Sequence, residues 1–282
     1  MKIDSHHHIW DLNVRAQDWI VGEAMAPINR NFLMEDLRAA TKSAGIDKTV
    51  IVQTVTNYDE TPELLELATK DSMVAGIVGW LNIDAPDALD HLDHYQSLPG
   101  ADYLKGIRDI VQDHPDSNYL TRPQVDKNIK ELGKRGIAFD ILTKTPELPG
   151  AIELVKKNPD VQFVLDHISK PYIAKGEFEP WASLIKEIAS FENVVCKVSG
   201  IVTEADWKDW SNEDITPYFE IILNSFGATR LMYGSDWPVC TLAGNYDEVF
   251  GLASYLVQNF SPVEKISFWG DCANDAYKLG LN

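Results

Sequence analysis

The most regular feature of the chain is a series of short runs in which apolar and β-branched residues follow one another almost without interruption. Continuous rather than alternating hydrophobicity is typical of strands that are buried on both faces, as in a parallel sheet. The starts of the runs lie roughly 25 to 45 residues apart, which is the spacing of units that pair a strand with a helix. The runs cover residues 3–9, 49–55, 75–81, 104–110, 136–142, 161–167, 193–199 and 230–236.

Segments with apolar residues at helical spacing occupy most of the gaps between these runs. The segment 32–45 ends at Gly45, and the segment 123–136 begins with Pro123 and ends with Gly136. Proline at the start and glycine at the end are common at helix boundaries. The other predicted helices cover residues 60–70, 180–191, 215–227, 246–260 and 271–279.

Eight strands that alternate with helices predict an α/β fold, a (β/α)8 TIM barrel, formed by a single domain over residues 1–282. The alternative is an open, doubly wound sheet. That fold usually carries a glycine-rich phosphate loop after its first strand, and the chain contains neither GxGxxG nor GxxxxGK[ST]. Residues 11–31 are longer than a usual strand-to-helix loop, so they are a candidate lid over the barrel mouth.

Composition and charge exclude several classes of protein. The net charge of −18 disfavours binding to nucleic acids and to anionic membrane surfaces. No apolar run approaches the roughly 18 to 20 residues of a membrane span, and the first residues lack the pattern of a signal peptide. The three cysteines, Cys196, Cys240 and Cys272, lack paired spacing. These features favour a cytoplasmic protein without disulfide bonds.

Polar side chains collect at the carboxyl ends of the predicted strands, where barrel enzymes carry their active sites. Charged groups are costly to bury unless they are paired or used in chemistry, so this clustering predicts an active site. In strand order the residues are His6 and His8, Gln53, Trp80 and Asn82, Arg108 and Asp109, Asp140, Asp166 and His167 with Lys170 after them, Lys197 and Ser199, and Asp236 with Trp237 after it.

His6, His8, His167 and Asp236 form the predicted centre. His6 and His8 share one face of an extended strand, and strand eight lies beside strand one in a closed barrel. His6, His8 and Asp236 would suit a single divalent metal such as zinc, with His167 and Asp236 as catalytic residues. Without a metal, the histidines and Arg108 would polarise a carbonyl while Asp236 acts as base. Both versions hydrolyse a polarised C=O with water.

The other candidates for substrate binding have structural alternatives. Arg108, Gln53 and Lys170 could contact substrate, or could serve in ion pairs and packing. Trp80 and Trp237 could form walls for an apolar or sugar face, although tryptophan at a barrel rim is often a packing residue.

Lys197 and Asp140 could instead be partners in a polar ring inside the barrel. Cys240 is expected to be a small buried thiol, since no base stands beside it in the sequence.

Five segments resemble the amidohydrolase superfamily in their order along the chain. They are IDSHHHIW, KGIRDIVQD, FVLDHISKP, CKVSGIVTEADW and RLMYGSDWPVC. The chain is most similar to the branch of lactonases that act on sugar acids and on aromatic-pathway lactones. The resemblance implies a (β/α)8 barrel with its strand-one histidines at His6 and His8, its strand-six histidine at His167 and its general base at Asp236.

The chain departs from the superfamily members that bind two metals. Those members carry a bridging lysine or glutamate on strand four and a histidine on strand five. Here strand five holds Asp140 and no histidine, while strand four has Lys105 early and Arg108 at its end. The resemblance therefore implies one divalent metal or none.

The resemblance predicts a hydrolase of carbohydrate metabolism that opens a sugar-acid lactone of the fucono- or rhamnono-lactone type. Its expected partner is this small molecule, and the chain could form homo-oligomers. An amidase or a metal-dependent, non-oxidative decarboxylase would fit the same barrel. A barrel that binds a ligand without turnover is a third hypothesis, which three histidines around Asp236 argue against.

Overall fold

The computed structural model describes residues 1–281 and contains one eight-stranded parallel sheet. The strands follow the predicted hydrophobic runs, but several are shorter than those runs. They are β1 (Ile3–His7), β2 (Lys48–Val52), β3 (Val74–Trp80), β4 (Leu104–Ile110), β5 (Ala138–Leu142), β6 (Phe163–Leu165), β7 (Val194–Val198) and β8 (Leu231–Tyr233).

The strands pair in chain order from β1 to β8, and the backbone beyond β8 closes the sheet against β1. The N–H of Asp236 donates to the carbonyl of His6 over 2.8 Å, and the N–H of His8 donates to the carbonyl of Trp237 over 2.6 Å. The predicted (β/α)8 barrel is therefore confirmed. Since the sheet ladder ends before Asp236, this residue lies in the loop above the barrel.

Helices surround the barrel and cover its outer face. Every helix predicted from apolar spacing is present, with ends shifted by a few residues. The sequence pattern did not single out α3, α5 or α9. Helix α3 is rich in polar residues, α5 has proline and glycine in its first turn, and α9 has only five residues. The helices are α1 (Met34–Thr41), α2 (Glu60–Lys70), α3 (Ala88–Ser97), α4 (Pro123–Lys134), α5 (Leu148–Lys157), α6 (Trp181–Ala189), α7 (Asn212–Phe226), α8 (Tyr246–Leu256), α9 (Pro262–Ile266) and α10 (Cys272–Ala276).

Two layers of apolar side chains form the core. On β7, Val194 and Cys196 pack in the layer between sheet and helices, whereas Val195 packs in a second cluster inside the barrel. Alternate residues of a strand share a face, so Lys197 follows Val195 into the barrel. Tyr277, just after α10, packs in the inner cluster and closes its base.

The long segment 11–31 contains a short 3-10 helix at Glu23–Ile28. Two backbone hydrogen bonds join the residues that flank this segment. The N–H of Trp10 donates to the carbonyl of Phe32, and the N–H of Phe32 donates to the carbonyl of Trp10, each over 2.9 Å. The indole of Trp19 packs edge-on against Trp10. Motion of this segment as a lid remains a prediction. No helix within residues 1–281 is long and apolar enough to cross a membrane.

Candidate active site

The oxygen Oδ1 of Asp236 is the point on which three histidines converge. It lies 3.3 Å from Nε2 of His8, 3.8 Å from Nε2 of His6 and 3.9 Å from Nε2 of His167. All four residues are almost fully buried. The structure therefore brings together the four residues expected from strands one, six and eight. We refer to them as the His–Asp cluster.

The backbone around the His–Asp cluster adopts conformations that non-glycine residues rarely occupy. Residues 167–170 all have positive φ values, and φ is 48° at the β-branched Ile168. Asp236 has a φ of 57°. Such geometry costs of order 1–3 kcal/mol per residue and is concentrated at functional sites. The strain supports a functional role for the turns that carry His167 and Asp236.

Gly234 and Gly200 lack side chains at positions where His6 and His167 pack directly against the backbone. A Cβ atom on Gly234 would lie 2.7 Å from Cβ of His6, and one on Gly200 would lie 2.5 Å from Nδ1 of His167. Gly200 also has a φ of 60°. Both glycines are therefore required by close approach, and neither was singled out as a site residue by the sequence pattern.

Burial and the three imidazoles set the charges in the His–Asp cluster. Burial alone would raise the pKa of Asp236, but His167, His8 and His6 outweigh it and hold this pKa well below its usual range. Burial lowers the pKa of His167 to about 4 and that of His6 well below its ordinary value. At neutral pH, Asp236 is therefore an ionised carboxylate, and His6 and His167 are neutral.

Hydrogen bonds on the far side of each ring orient His8 and His167. Nδ1 of His8 lies 2.8 Å from the carbonyl oxygen of Val52, and Nδ1 of His167 lies 2.8 Å from Oγ of Ser199. A carbonyl only accepts, so Nδ1 of His8 donates to Val52. The hydroxyl of Ser199 can donate or accept, so it permits either tautomer of His167.

A buried ion-pair network lies beneath the His–Asp cluster. Nζ of Lys197 donates to Oδ2 of Asp140 over 2.6 Å, and it lies 3.1 Å from Nδ1 of His6 and 3.0 Å from Oδ1 of Asp166. The hydroxyl of Tyr277 also donates to Asp140 over 2.6 Å. Burial raises the pKa of Asp140 to about 6. Lys197 and Asp140 are thus partners inside the barrel, as one reading of the sequence expected.

Arg108 joins this network from β4. Its Nη1 donates to Oδ2 of Asp166 over 3.1 Å, and its Nη2 donates to the carbonyl of Gln53 over 2.6 Å. Only 3 % of Arg108 is exposed. Two fixed acceptors hold its guanidinium at the floor of the cavity described next.

A cavity of about 470 Å³ opens above the His–Asp cluster, a size suited to a small-molecule ligand. Five of the predicted site residues line this cavity, namely His8, Arg108, His167, Lys170 and Asp236. Asp18 and Trp19 come from the 11–31 segment, whose unusual length was the signal for them, while nothing in the local pattern marked Gln112, Thr54 or Thr56. The lining residues are His8, Asp18, Trp19, Thr54, Val55, Thr56, Arg108, Ile110, Gln112, Leu142, His167, Lys170, Asp236 and Val239.

Among the described residues, three predicted substrate contacts lie outside this lining. Gln53 is fully buried, with its Nε2 3.5 Å from the carbonyl oxygen of Arg108. The indole of Trp80 donates to Oδ1 of Asp109 over 2.9 Å. Trp237 packs on Phe32 and borders a separate, more open groove of about 880 Å³ that contains no member of the His–Asp cluster. The structure gives these three residues packing and hydrogen-bonding partners instead.

The His–Asp cluster has the composition of a divalent-metal site. Donor atoms of His6, His167 and Asp236 all lie within 4.8 Å of one another. Nε2 of His8 lies 3.3 Å from Oδ1 of Asp236. Imidazole nitrogen and carboxylate oxygen are the ligands that zinc and similar cations take in catalytic sites. The donor set therefore fits one divalent cation, with His167, Asp236 and one imidazole of the His6–His8 pair as candidate ligands.

A parallel-stranded barrel that carries histidines and a carboxylate at its strand ends is typical of barrel hydrolases. The family model described as Amidohydrolase matches residues 3–279. The chain therefore belongs to the amidohydrolase family.

Similar proteins come from Burkholderia. An L-fucono-1,5-lactonase from Burkholderia ambifaria is 34% identical, over 88% of this chain and 83% of the relative. An L-fucono-1,5-lactonase from Burkholderia multivorans is 31% identical, over 99% and 96%. A solved amidohydrolase from Burkholderia multivorans with bound zinc aligns with a TM-score of 0.91 at 32% identity, over 99% of each chain. Each of these alignments covers at least 88% of this chain.

Proposed function

We propose that the protein hydrolyses the lactone of a sugar acid, opening the ring to the hydroxy acid. The observation that carries this proposal is the carboxylate of Asp236 in the lining of a cavity of about 470 Å³, beside the imidazoles of His8 and His167. The similarity to two L-fucono-1,5-lactonases supports a 6-deoxysugar lactone of the fucono- or rhamnono-type.

Asp236 is proposed as the general base. Its carboxylate takes a proton from water while the water oxygen bonds to the lactone carbonyl carbon, and a tetrahedral oxyanion forms. The ring C–O bond then breaks, and the protonated Asp236 returns its proton to the departing alkoxide. Atoms and charge balance, because water is consumed and one hydroxy acid is formed.

Arg108 and His167 are proposed to stabilise the oxyanion. The guanidinium of Arg108 is held by Asp166 and by the carbonyl of Gln53, so it is preorganised for developing negative charge. If Ser199 donates to Nδ1 of His167, Nε2 of that neutral ring carries a hydrogen that points into the cavity. Preorganised donors in a dry site typically accelerate such steps by about 10²–10³-fold each.

A divalent cation is compatible with this centre, and a solved relative binds zinc. The candidate ligands in this chain are His167, Asp236 and His6 or His8. Polarisation of the carbonyl and acidification of water are the chemistry that such a cation supplies when bound.

The remaining lining suits a hydroxylated ring. Lys170, Gln112 and Thr56 offer polar groups for hydroxyls, and Trp19 offers an aromatic face. Lys170 forms an ion pair with Glu204 over 3.5 Å, which partly neutralises its charge. We therefore expect a preference for neutral, hydroxylated lactones over lactones with several carboxylates.

The test is acid release in weak buffer from a panel of aldonolactones, with Asp236→Asn as the matched control. Fast and stereoselective acidification that the variant lacks supports the proposal. A panel without turnover above spontaneous hydrolysis contradicts it, and so does a variant that is as active as the wild-type protein.

A further inference from the structure

Glu60 is a buried carboxylate that binds the loop after β2. It is the first residue of α2, and only 5 % of it is exposed. The N–H of Thr54 lies 3.0 Å from each of its oxygens, the N–H of Val55 donates to Oε2 over 3.2 Å, and the hydroxyl of Thr54 donates to Oε1. Hydrogen bonds to a carboxylate are roughly twice as strong as neutral ones, so Glu60 fixes this short stretch of backbone firmly.

Helix α2 is itself fixed to the barrel and gives Glu60 a rigid support. Oγ1 of Thr61, the next residue, accepts the N–H of Trp80 at the end of β3 over 3.0 Å. Leu64 and Leu65 are buried in the layer between sheet and helices. A movement of the loop after β2 would therefore break its hydrogen bonds to Glu60.

The peptide bond between Gln53 and Thr54 connects Glu60 with Arg108. This bond is trans and planar, so its C=O and its N–H point in opposite directions. The N–H is the one of Thr54 that donates to Glu60, and the C=O accepts Nη2 of Arg108 over 2.6 Å. Rotation of the peptide plane would weaken both hydrogen bonds at once. Glu60 thus constrains the direction of the carbonyl that holds Arg108.

The guanidinium of Arg108 has few other partners. Within residues 1–281 its Nε has no hydrogen-bond partner. Its Nη1 lies 3.1 Å from Oδ2 of Asp166 and 3.5 Å from Nε2 of His6. The hydrogen bond to the carbonyl of Gln53 is the shortest of these contacts, so the direction of that carbonyl strongly affects the plane of the guanidinium.

We propose that Glu60 is a positioning residue that orients Arg108 through the Gln53–Thr54 peptide and so directs its guanidinium at the charge that develops in the cavity. Glu60 is not in the cavity lining, so it acts on a substrate only through the residues that it holds. Stabilisation of an oxyanion by Arg108 rests on the proposed lactone hydrolysis, whereas the orientation of Arg108 by Glu60 does not.

Two substitutions of Glu60 have different expected effects. Glu60→Met has a similar length but no strong acceptor, so the N–H groups of Thr54 and Val55 lose their partner. In Glu60→Gln, one amide oxygen can still accept both N–H groups, while the amide nitrogen donates to the hydroxyl of Thr54. The positioning role predicts that Glu60→Met disturbs Arg108 and that Glu60→Gln largely preserves its orientation.

Glu147→Met is the matched control. Glu147 directly precedes α5, is 4 % exposed, and accepts the N–H of Lys144 over 2.9 Å. It therefore also binds the loop between a strand and a helix, but residues 143–147 are outside the cavity lining. A purely structural effect should be similar in the Glu60 and Glu147 variants.

The first experiment is nitrogen-15 NMR of arginine-labelled protein, which measures how fast the guanidinium of Arg108 rotates. Its signals are assigned by their absence from Arg108→Lys. Rotation that is several-fold faster in Glu60→Met, but unchanged in Glu147→Met, supports the proposal. Equal rotation in Glu60→Met and in the wild-type protein overturns it. Glu60→Asp, which keeps the charge but is one methylene shorter, takes the place of Glu60→Met if circular dichroism shows that the latter is unfolded.

The second experiment measures kcat and KM on the best lactone. Loss of a preorganised donor typically costs about 10²–10³-fold in kcat, and we expect about tenfold for a displaced one in Glu60→Met. Glu60→Gln and Glu147→Met should stay within about threefold of the wild-type protein, and so should the further effect of Glu60→Met in the Arg108→Lys background, since both changes act through one group. A full tenfold loss in that background overturns the proposal.

The two experiments separate this proposal from the proposed function. If no lactone is turned over, lactone hydrolysis fails, while the rotation of the guanidinium still decides whether Glu60 orients Arg108.

Discussion

Gly200 lies directly against the imidazole of His167, so closely that a Cβ atom at position 200 would be 2.5 Å from Nδ1. The two residues follow different strands, β7 and β6, and meet only because those strands are neighbours in the barrel. On its other side, His167 has Nε2 3.9 Å from Oδ1 of Asp236. A residue without a side chain therefore sets the position of a histidine at the centre of the site.

Gly200→Ala is expected to displace His167 and to lower kcat/KM strongly, by about 10²-fold, since misplacement of about 1 Å can have this effect. The matched control is Gly176→Ala, because Gly176 has a similar φ of 65° and no described atom within 4 Å of the added Cβ. Both variants should lose about 1 kcal/mol of stability from the backbone strain. Kinetics and thermal unfolding of the two proteins measure the difference, and equal kinetics would contradict the positioning role of Gly200.

Asp236→Asn is expected to lower kcat by about 10²–10⁴-fold, the usual contribution of a general base. The fold should persist, because the amide can still contact the surrounding imidazoles. Initial rates on the best lactone, with circular dichroism of both proteins, test this. A variant that keeps most of its activity would remove Asp236 from the proposed role.

Trp19→Ala is expected to raise KM several-fold, because Trp19 lines the cavity and presents an aromatic face to a ring. Trp80→Phe should leave KM unchanged and cost about 1 kcal/mol of stability, because its indole N–H bonds to Asp109 beneath the surface. Steady-state kinetics and denaturant unfolding separate the two effects. A larger change in KM for the Trp80 variant would restore that residue as a substrate contact.

His7→Leu is expected to make the protein less sensitive to acid. Within residues 1–281 neither ring nitrogen of His7 has a hydrogen-bond partner, and burial lowers its pKa to about 3 from an ordinary value of 6.5. The unfolded chain thus binds this proton more readily, so stability is lost as pH falls from about 6.5 towards 3. Melting temperatures of both proteins at pH 7 and pH 4.5 measure this contribution, and parallel losses would show that His7 makes none.

The sequence by itself determined the architecture and the strand ends that carry chemistry. Eight nearly continuous hydrophobic runs at regular spacing leave few folds besides a parallel barrel. Such a barrel places His6, His167 and Asp236 at one rim. Strand periodicity also predicted that His6 and His8 share a face, and their rings lie 5.0 Å apart. These features follow from local pattern and strand order alone.

Only the tertiary structure decided which side chains face the cavity and what lies behind them. Trp80 and Trp237 lie at or just after strand ends, as the site residues do, but neither lines the cavity. Trp80 bonds to Asp109, and Trp237 packs on Phe32. Nζ of Lys197 lies 3.1 Å from Nδ1 of His6, although the two residues are 191 positions apart in the chain. Hydrogen bonds and ångström-scale packing across the barrel arise when distant strands close on one another, so no local stretch of sequence encodes them.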